Sequence, residues 1–202
     1  MSKIEKIVIA TRNTAKVEYY RQVFNGLIDN VLGLNDLSID GKPEESGDTA
    51  ESNAEIKAKY YSERTNLPVF SEDECLYADF LPPDKQPGPH VRRINGKDEV
   101  TDNELIIHWE NIVKNVPQEK RTGYWHFAYC LANKGDTKIF TQDFPVRFYY
   151  PSSKIKIPGW PLSSLQGSRG KPHSEYTEEE KRLSVQRDSE AISDILKQLL
   201  NS

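Results

Sequence analysis

Thr11, Asn13 and Lys16 fall within six residues, directly after the short apolar run Ile7-Val8-Ile9-Ala10. If the run is a strand and the next residues open a helix, the turn presents exposed backbone N–H groups and the positive end of a helix dipole, which favours an anion. Thr11 and Asn13 add neutral donors, and Lys16 adds a charge one turn into the helix. Such a set could hold a polyphosphate; an ordinary polar strand-to-helix turn has the same composition. It is not a Walker loop, because the glycines and the Gly-Lys-Ser/Thr ending are absent.

A second group is acidic: Glu45, and the run Glu72-Asp73-Glu74 that follows the apolar segment Leu67 to Ser71. Acids at the carboxyl end of a buried strand stand where α/β folds place their sites. Mg²⁺ takes oxygen ligands, commonly one or two carboxylates plus substrate phosphates, and a further carboxylate can activate a water. A solvated acidic loop is the plainer alternative. Asn53 and Lys57 are four residues apart and share one helical face. Lys57 is either a phosphate ligand or a partner for Glu51, Glu55 or Glu63. Lys181 and Arg187, six apart near the C-terminus, are unremarkable in isolation. Trp160 lies in the proline-rich stretch Pro158-Gly159-Trp160-Pro161.

These residues need elements to position them. The pattern predicts a strand over Lys6 to Thr11 and a helix from Ala15 to Phe24, with Val17, Tyr20 and Phe24 on one face. A second strand is expected over Val31 to Leu37 and a loop over Asp40 to Thr49. Thr49, with Ser52 and nearby acids, suits the start of a helix that runs to Thr65 and ends at Asn66. The strand Leu67 to Ser71 follows, then an extended loop with Pro82, Pro83, Pro87 and Pro89. A helix over Asn103 to Val116 precedes two long strands, Tyr124 to Ala132 and Lys138 to Tyr150, joined by a turn at Asn133 to Asp136. Residues Pro151 to Pro172 read as irregular. A last helix opens at Thr177, with Glu180 in capping-box spacing, breaks near Arg187 and Asp188, and resumes through Ala191 to Leu200. Strand-helix alternation followed by a hairpin and helices gives an α/β fold with a mixed sheet.

Composition sets the outer bounds. Two hundred and two residues suit one large domain, or one domain with two lobes, and ten Tyr, seven Phe and three Trp supply core bulk despite a hydrophobic fraction of 36%. The net charge of −4, with signs interspersed, gives no basic patch for nucleic acid. No apolar run is long enough for a signal peptide or membrane span. Cys75 and Cys130 show no metal-ligand spacing, so free thiols and a reducing, cytoplasmic setting are expected.

Taken in order, the motifs resemble those of the inosine triphosphate pyrophosphatase family, pyrophosphatases of unusual purine nucleoside triphosphates. The Thr/Ser-x-Asn-x-x-Lys turn is present as Thr11, Asn13 and Lys16. The element Glu-x-Gly-x-Thr-x-x-x-Asn-Ala-x-x-Lys-Ala matches Glu45 to Ala58 without a gap. The strand leading to Asp-Asp-Ser-Gly-Leu is met by Leu67 to Leu76, Pro-Gly by Pro87-Gly88, and Glu-Glu-Lys by Glu179-Glu180-Lys181. The likeness is dense over residues 6 to 80 and looser beyond.

The resemblance implies a single α/β domain over residues 1–202, with an elongated mixed central sheet flanked by helices and two lobes with a cleft between them. It implies Mg²⁺-dependent hydrolysis (Mn²⁺ as an alternative ion) of a nucleoside triphosphate to the monophosphate and pyrophosphate, by a homodimer. Thr11, Asn13, Lys16, Asn53 and Lys57 would hold the triphosphate, with Lys16 and Lys57 aiding catalysis. Glu45, Glu72 and Asp73 would form the metal site, with Asp73 activating water. Lys181, Gln186 and Arg187 would close over the nucleotide, and Trp160 would stack on the base. Three departures are plain. Glu72-Asp73-Glu74-Cys75 replaces Asp-Asp-Ser-Gly, and Val185-Gln186-Arg187 replaces Ser-His-Arg. The Gly-aromatic-Gly-aromatic-Asp-Pro segment has no counterpart, and its base-reading acid is gone. A nucleotide-binding or regulatory protein of the same fold with impaired turnover is the alternative.

Overall fold

The computed structural model describes residues 5–94, 96–97 and 99–200, with side chains through 194. Strands β1 (Lys6–Ile9), β2 (Asn30–Gly33), β3 (Val69–Ala78), β4 (Thr122–Asn133), β5 (Asp136–Phe148) and β6 (Gln166–Gly167) form one sheet in the order β2-β1-β3-β4-β5-β6. β1 runs parallel to both β2 and β3, whereas β5 and β6 are antiparallel, so the sheet is mixed. Helices α1 (Thr14–Val23), α2 (Ala50–Thr65), α3 (Asp102–Val113) and α4 (Glu178–Leu200) flank it. Lys134 and Gly135, both at positive φ, turn the chain between β4 and β5, as a two-residue hairpin loop requires.

The chain gathers into two compact units, and β3, β4 and β5 contribute residues to each. The first comprises residues 1–73, 128–141 and 178–202. Its apolar centre includes Val8, Ala10, Leu34, Tyr61 and Val69, with an aromatic group in which Phe70 meets Tyr20, Phe24 and Tyr129. The second comprises residues 74–127 and 142–177. There Leu76, Leu105, Trp109, Val113, Phe148 and Leu165 pack together, the Trp109 and Phe148 rings stacking at 5.2 Å.

Local signals account for most helix ends. Asn13 caps α1, accepting from the Ala15 N–H, and Thr49 caps α2, accepting from the Ser52 N–H. Asn66 closes α2 in the left-handed conformation, with φ 53°. A reciprocal capping box of Thr101 and Glu104 opens α3.

Four expectations need correction. β2 stops at Gly33, and Leu34–Leu37 form a tight 3-10 turn, because the Asp36 carboxylate accepts from the Gly33 N–H and turns the chain. β3 does not end at Ser71: it carries Glu72, Asp73 and Glu74 within it and runs on to Ala78, since Cys75, Leu76 and Ala78 are core residues. α4 does not break at Arg187 and Asp188. Those polar residues lie along a helix that packs on α1, where Ser189 Oγ donates to the Val23 carbonyl at 2.7 Å. The stretch 151–172 also holds the short strand β6, which two residues of pattern could not announce. Among the described residues, no helix is long and apolar enough to cross a membrane, and Cys75 and Cys130 are buried and form no disulfide.

Candidate functional site

Side chains alternate along a strand, so neighbours on β3 face opposite sides of the sheet. Phe70 and Glu72 face α1. Phe70 packs on Tyr20 and Phe24, while the Glu72 carboxylate takes the Lys16 ammonium at 2.6 Å and the Tyr20 hydroxyl. Ser71 and Asp73 face α2. Ser71 donates to the Ala54 carbonyl, and Asp73 accepts from Lys57 at 2.6 Å and from Asn53 at 3.3 Å. β1 pairs with β3 only as far as Ile9 with Phe70, so β3 continues past the end of β1 alongside the turn that carries Thr11 and Asn13. With α1 on one face and α2 on the other, this is a topological switch point at a strand's carboxyl end, where open α/β sheets bind ligands.

The turn itself is tightly built. Thr11 Oγ1 accepts from the Asn13 N–H at 3.1 Å, and Asn13 Oδ1 from the Ala15 N–H at 2.9 Å. The Thr11 hydroxyl proton and the Asn13 amide protons are not used in those two bonds. Arg12 donates to the Ile39 and Gly41 carbonyls at 2.8 and 3.0 Å and so pins the segment leading to Glu45, a role for which no local sequence signal exists.

Glu45, Asn53, Lys57 and Asp73 converge. Lys57 Nζ stands 2.6 Å from Asp73 and 3.4 Å from Glu45, with the Lys57 and Asp73 side chains each 13% exposed. Burial pushes the Asp73 carboxyl above its ordinary range, and the Glu45 charge adds to that. Lys57 and Asn53 pull the other way without offsetting it. Asn53, itself buried, also accepts from the Gly47 N–H at 2.9 Å, which ties the loop of Glu45 to the carboxylate it faces.

A Cβ on Gly47 would lie 2.5 Å from Ser52 Oγ and 2.7 Å from Asn53 Oδ1. Gly47→Ala is therefore expected to displace Asn53 and lower stability by about 1–2 kcal/mol, measured by thermal denaturation. Unchanged stability would mean that the loop yields freely.

The metal expectation meets a donor set of the right chemistry. Glu45 and Asp73 are hard oxygen donors brought to one lysine, and the raised Asp73 carboxyl would be relieved by a cation. Among the described residues no group of three or more His, Cys, Asp or Glu gathers, so Mg²⁺ or Mn²⁺ held there would draw further oxygens from phosphate and water, a normal arrangement for Mg²⁺. Glu72, expected as a third carboxylate of that set, is turned to the opposite face of β3 by the strand's alternation.

The remaining expected residues are spread out. On α4, Lys181 pairs with Glu178 at 2.7 Å, and Gln186 with Glu190 at 3.1 Å, both exposed. Arg187 holds Asp188 at 2.8 Å, and Asp188 in turn accepts from Tyr19 on α1. Trp160 belongs to the second unit and is half-buried, its backbone held by the turns at Ile157 and Ser163. Helical spacing accounts for Tyr20 on the buried face of α1 and leaves Tyr19 unmarked. Their polar role needed the partners Asp188 and Glu72, far off in sequence, and no local signal marks it.

These features define an α/β protein with a charged, partly buried site at the switch point of its parallel strands. The chain belongs to the Ham1 family, whose model matches residues 7–189. Among curated relatives, it is 34% identical over 131 residues to a protein of Thermoanaerobacter sp. (strain X514) named dITP/XTP pyrophosphatase, covering 64% of each chain. It is 32% identical over 133 residues to one of the same name from Geobacter sulfurreducens, again covering 64% of each. The match thus spans just under two thirds of these relatives' length. Among solved structures, the Ham1 protein of Staphylococcus aureus superposes with a TM-score of 0.72 at 21% identity, covering 96% of this chain and 98% of that one. A HAM1 protein from Coxiella burnetii gives 0.75 at 21% identity, with the same coverage. The shared fold is the mixed sheet flanked by helices.

Proposed function

We propose that the protein hydrolyses a nucleoside triphosphate to the monophosphate and pyrophosphate. The observation that carries this is the convergence of Asp73, Lys57, Asn53 and Glu45 on the α2 face of β3, at the switch point where β1 leads into the Asn13-capped α1. It joins a buried carboxylate able to accept a proton to cations and a helix dipole able to bind phosphate. Relatives named dITP/XTP pyrophosphatase support the same reaction.

In this reading, Thr11, Asn13 and the α1 N-terminus receive the triphosphate, with Lys16 and Lys57 neutralising its charge. Asp73 takes a proton from a water aligned for in-line attack at the α-phosphorus. The bond from that phosphorus to the bridging oxygen breaks, and pyrophosphate leaves. Glu45 and Asp73 would hold Mg²⁺ or Mn²⁺, which when bound supplies further charge neutralisation at the phosphates. Lys181, Gln186 and Arg187 would contact the nucleotide, their pairs within α4 exchanging for it. The relatives' names point to deaminated purines as substrates. We also propose a homodimer, which sedimentation equilibrium tests.

Pyrophosphate release from a panel of standard, inosine, xanthosine and modified-base triphosphates with Mg²⁺ is the direct test. Release from one or a few establishes the reaction and its base preference; no release from any refutes it. Lys16→Ala is expected to raise KM about tenfold or more with little change in kcat, since it removes a charge that holds the triphosphate in ground and transition states alike. An unchanged KM would make the Thr11 to Lys16 turn purely structural.

A further inference from the structure

Consecutive residues Tyr19 and Tyr20 on α1 each donate a hydroxyl hydrogen bond to a carboxylate, and each carboxylate holds a cation. Tyr20 donates to Glu72, which carries Lys16 at 2.6 Å; Tyr19 donates to Asp188, which carries Arg187 at 2.8 Å. The rings meet edge to face at 5.5 Å, and Tyr20 is 3% exposed. The Glu72 and Asp188 side chains are 7% and 18% exposed. Both hydroxyls therefore act where water competes weakly and a hydrogen bond to a charged group is strong. Burial and the Asp188 charge raise the Tyr19 hydroxyl above its ordinary range, so it remains a donor at neutral pH.

A carboxylate with two lone-pair-bearing oxygens can take a tyrosine on one and a cation on the other, and both pairs here do so: Glu72 uses Oε2 and Oε1, Asp188 uses Oδ2 and Oδ1. Fixing the first oxygen fixes the second, and with it the direction of the long, otherwise mobile cationic side chain. The partners come from β3 in one case and α4 in the other, so α1 is the common anchor.

We propose that Tyr19 and Tyr20 are a paired positioning device that sets Arg187 and Lys16, through Asp188 and Glu72, for a polyphosphate anion. The proposal deepens the functional reading above and rests on it for the identity of the ligand. Pre-set cations lose less side-chain entropy on binding, so the hydroxyls act on affinity without touching the anion.

Inorganic tripolyphosphate tests this apart from turnover, because it carries the charge and has no base. Its Kd, measured by calorimetry well below the melting temperature, is expected to rise roughly threefold to tenfold in Tyr20→Phe and again in Tyr19→Phe, the worth of one hydrogen bond. Tyr19→Phe/Tyr20→Phe should bind more weakly than either single variant, without the two factors multiplying independently, because the two rings are in contact. With a triphosphate substrate, the same variants should raise KM by the same factors and leave kcat nearly unchanged. A fall in Tm with unchanged tripolyphosphate Kd would overturn the proposal and leave the tyrosines as packing residues. So would a wild-type protein that does not bind tripolyphosphate. Wild-type protein that binds tripolyphosphate but hydrolyses nothing would refute the functional reading, with this inference still decided by the variants' Kd.

Discussion

Asp73→Asn is expected to lower pyrophosphate release by at least about a hundredfold, the usual worth of a general base, while the melting temperature holds or rises. The substitution keeps shape and hydrogen-bonding atoms but removes the charge that burial disfavours. The sign follows from the raised Asp73 carboxyl. A folded-state pKa above the unfolded value means that its contribution to stability is fully present below about 3.9 and is lost as pH rises through the folded pKa. At neutral pH the ionised carboxylate therefore costs stability, and asparagine removes that cost. Melting of the metal-free wild type and variant across pH 3 to 8 tests this: the variant should gain relative to wild type as pH rises. Unchanged turnover would remove Asp73 from the chemistry, and a variant that loses ground as pH rises would mean that Lys57 outweighs burial.

Lys57→Met should be the most damaging change to the fold near the site. Lys57 is the cation between Asp73 and Glu45, at 2.6 and 3.4 Å, and its replacement leaves two neighbouring carboxylates facing one another with little solvent. Breaking such a pair from one side costs about 3 kcal/mol. Urea denaturation at neutral pH would measure the loss, and pyrophosphate release should fall with it. Adding Asp73→Asn should recover much of the stability and none of the activity, because the second change removes the stranded charge and also the base. If the double variant is as unstable as the sum of the singles, the two residues are not coupled and the observed ion pair contributes nothing.

Much of the site could be read from sequence because its residues lie in short, contiguous motifs. The Thr11-to-Lys16 turn and the Glu45-to-Ala58 element each fold onto a local cap, Asn13 for α1 and Thr49 for α2, so spacing alone fixes what shares a face. The acidic run was harder. Three consecutive acids read as solvated loop, yet they lie within β3, where Glu72 meets α1 and Asp73 meets α2 on opposite faces. Period-two geometry would have separated them had the strand been extended that far. α4 failed for a related reason: Arg187-Asp188 looks like an interruption until Tyr19, more than 160 residues earlier, supplies the partner. Such long-range polar pairing leaves no periodic trace.

The first unit is assembled from the beginning, middle and end of the chain, residues 1–73, 128–141 and 178–202. Synthesis runs from the N-terminus at ~5–20 residues per second. α1 thus leaves the ribosome roughly ten to thirty seconds before Asp188 and Ser189 exist to meet it, and Phe70 likewise waits for Tyr129. During that interval the Thr11-to-Lys16 turn is already translated, but its aromatic neighbours lack part of their cover. A nascent chain stalled before residue 178 therefore carries every motif of the N-terminal half without the helix that completes its packing, and leaves aromatic surface exposed to water.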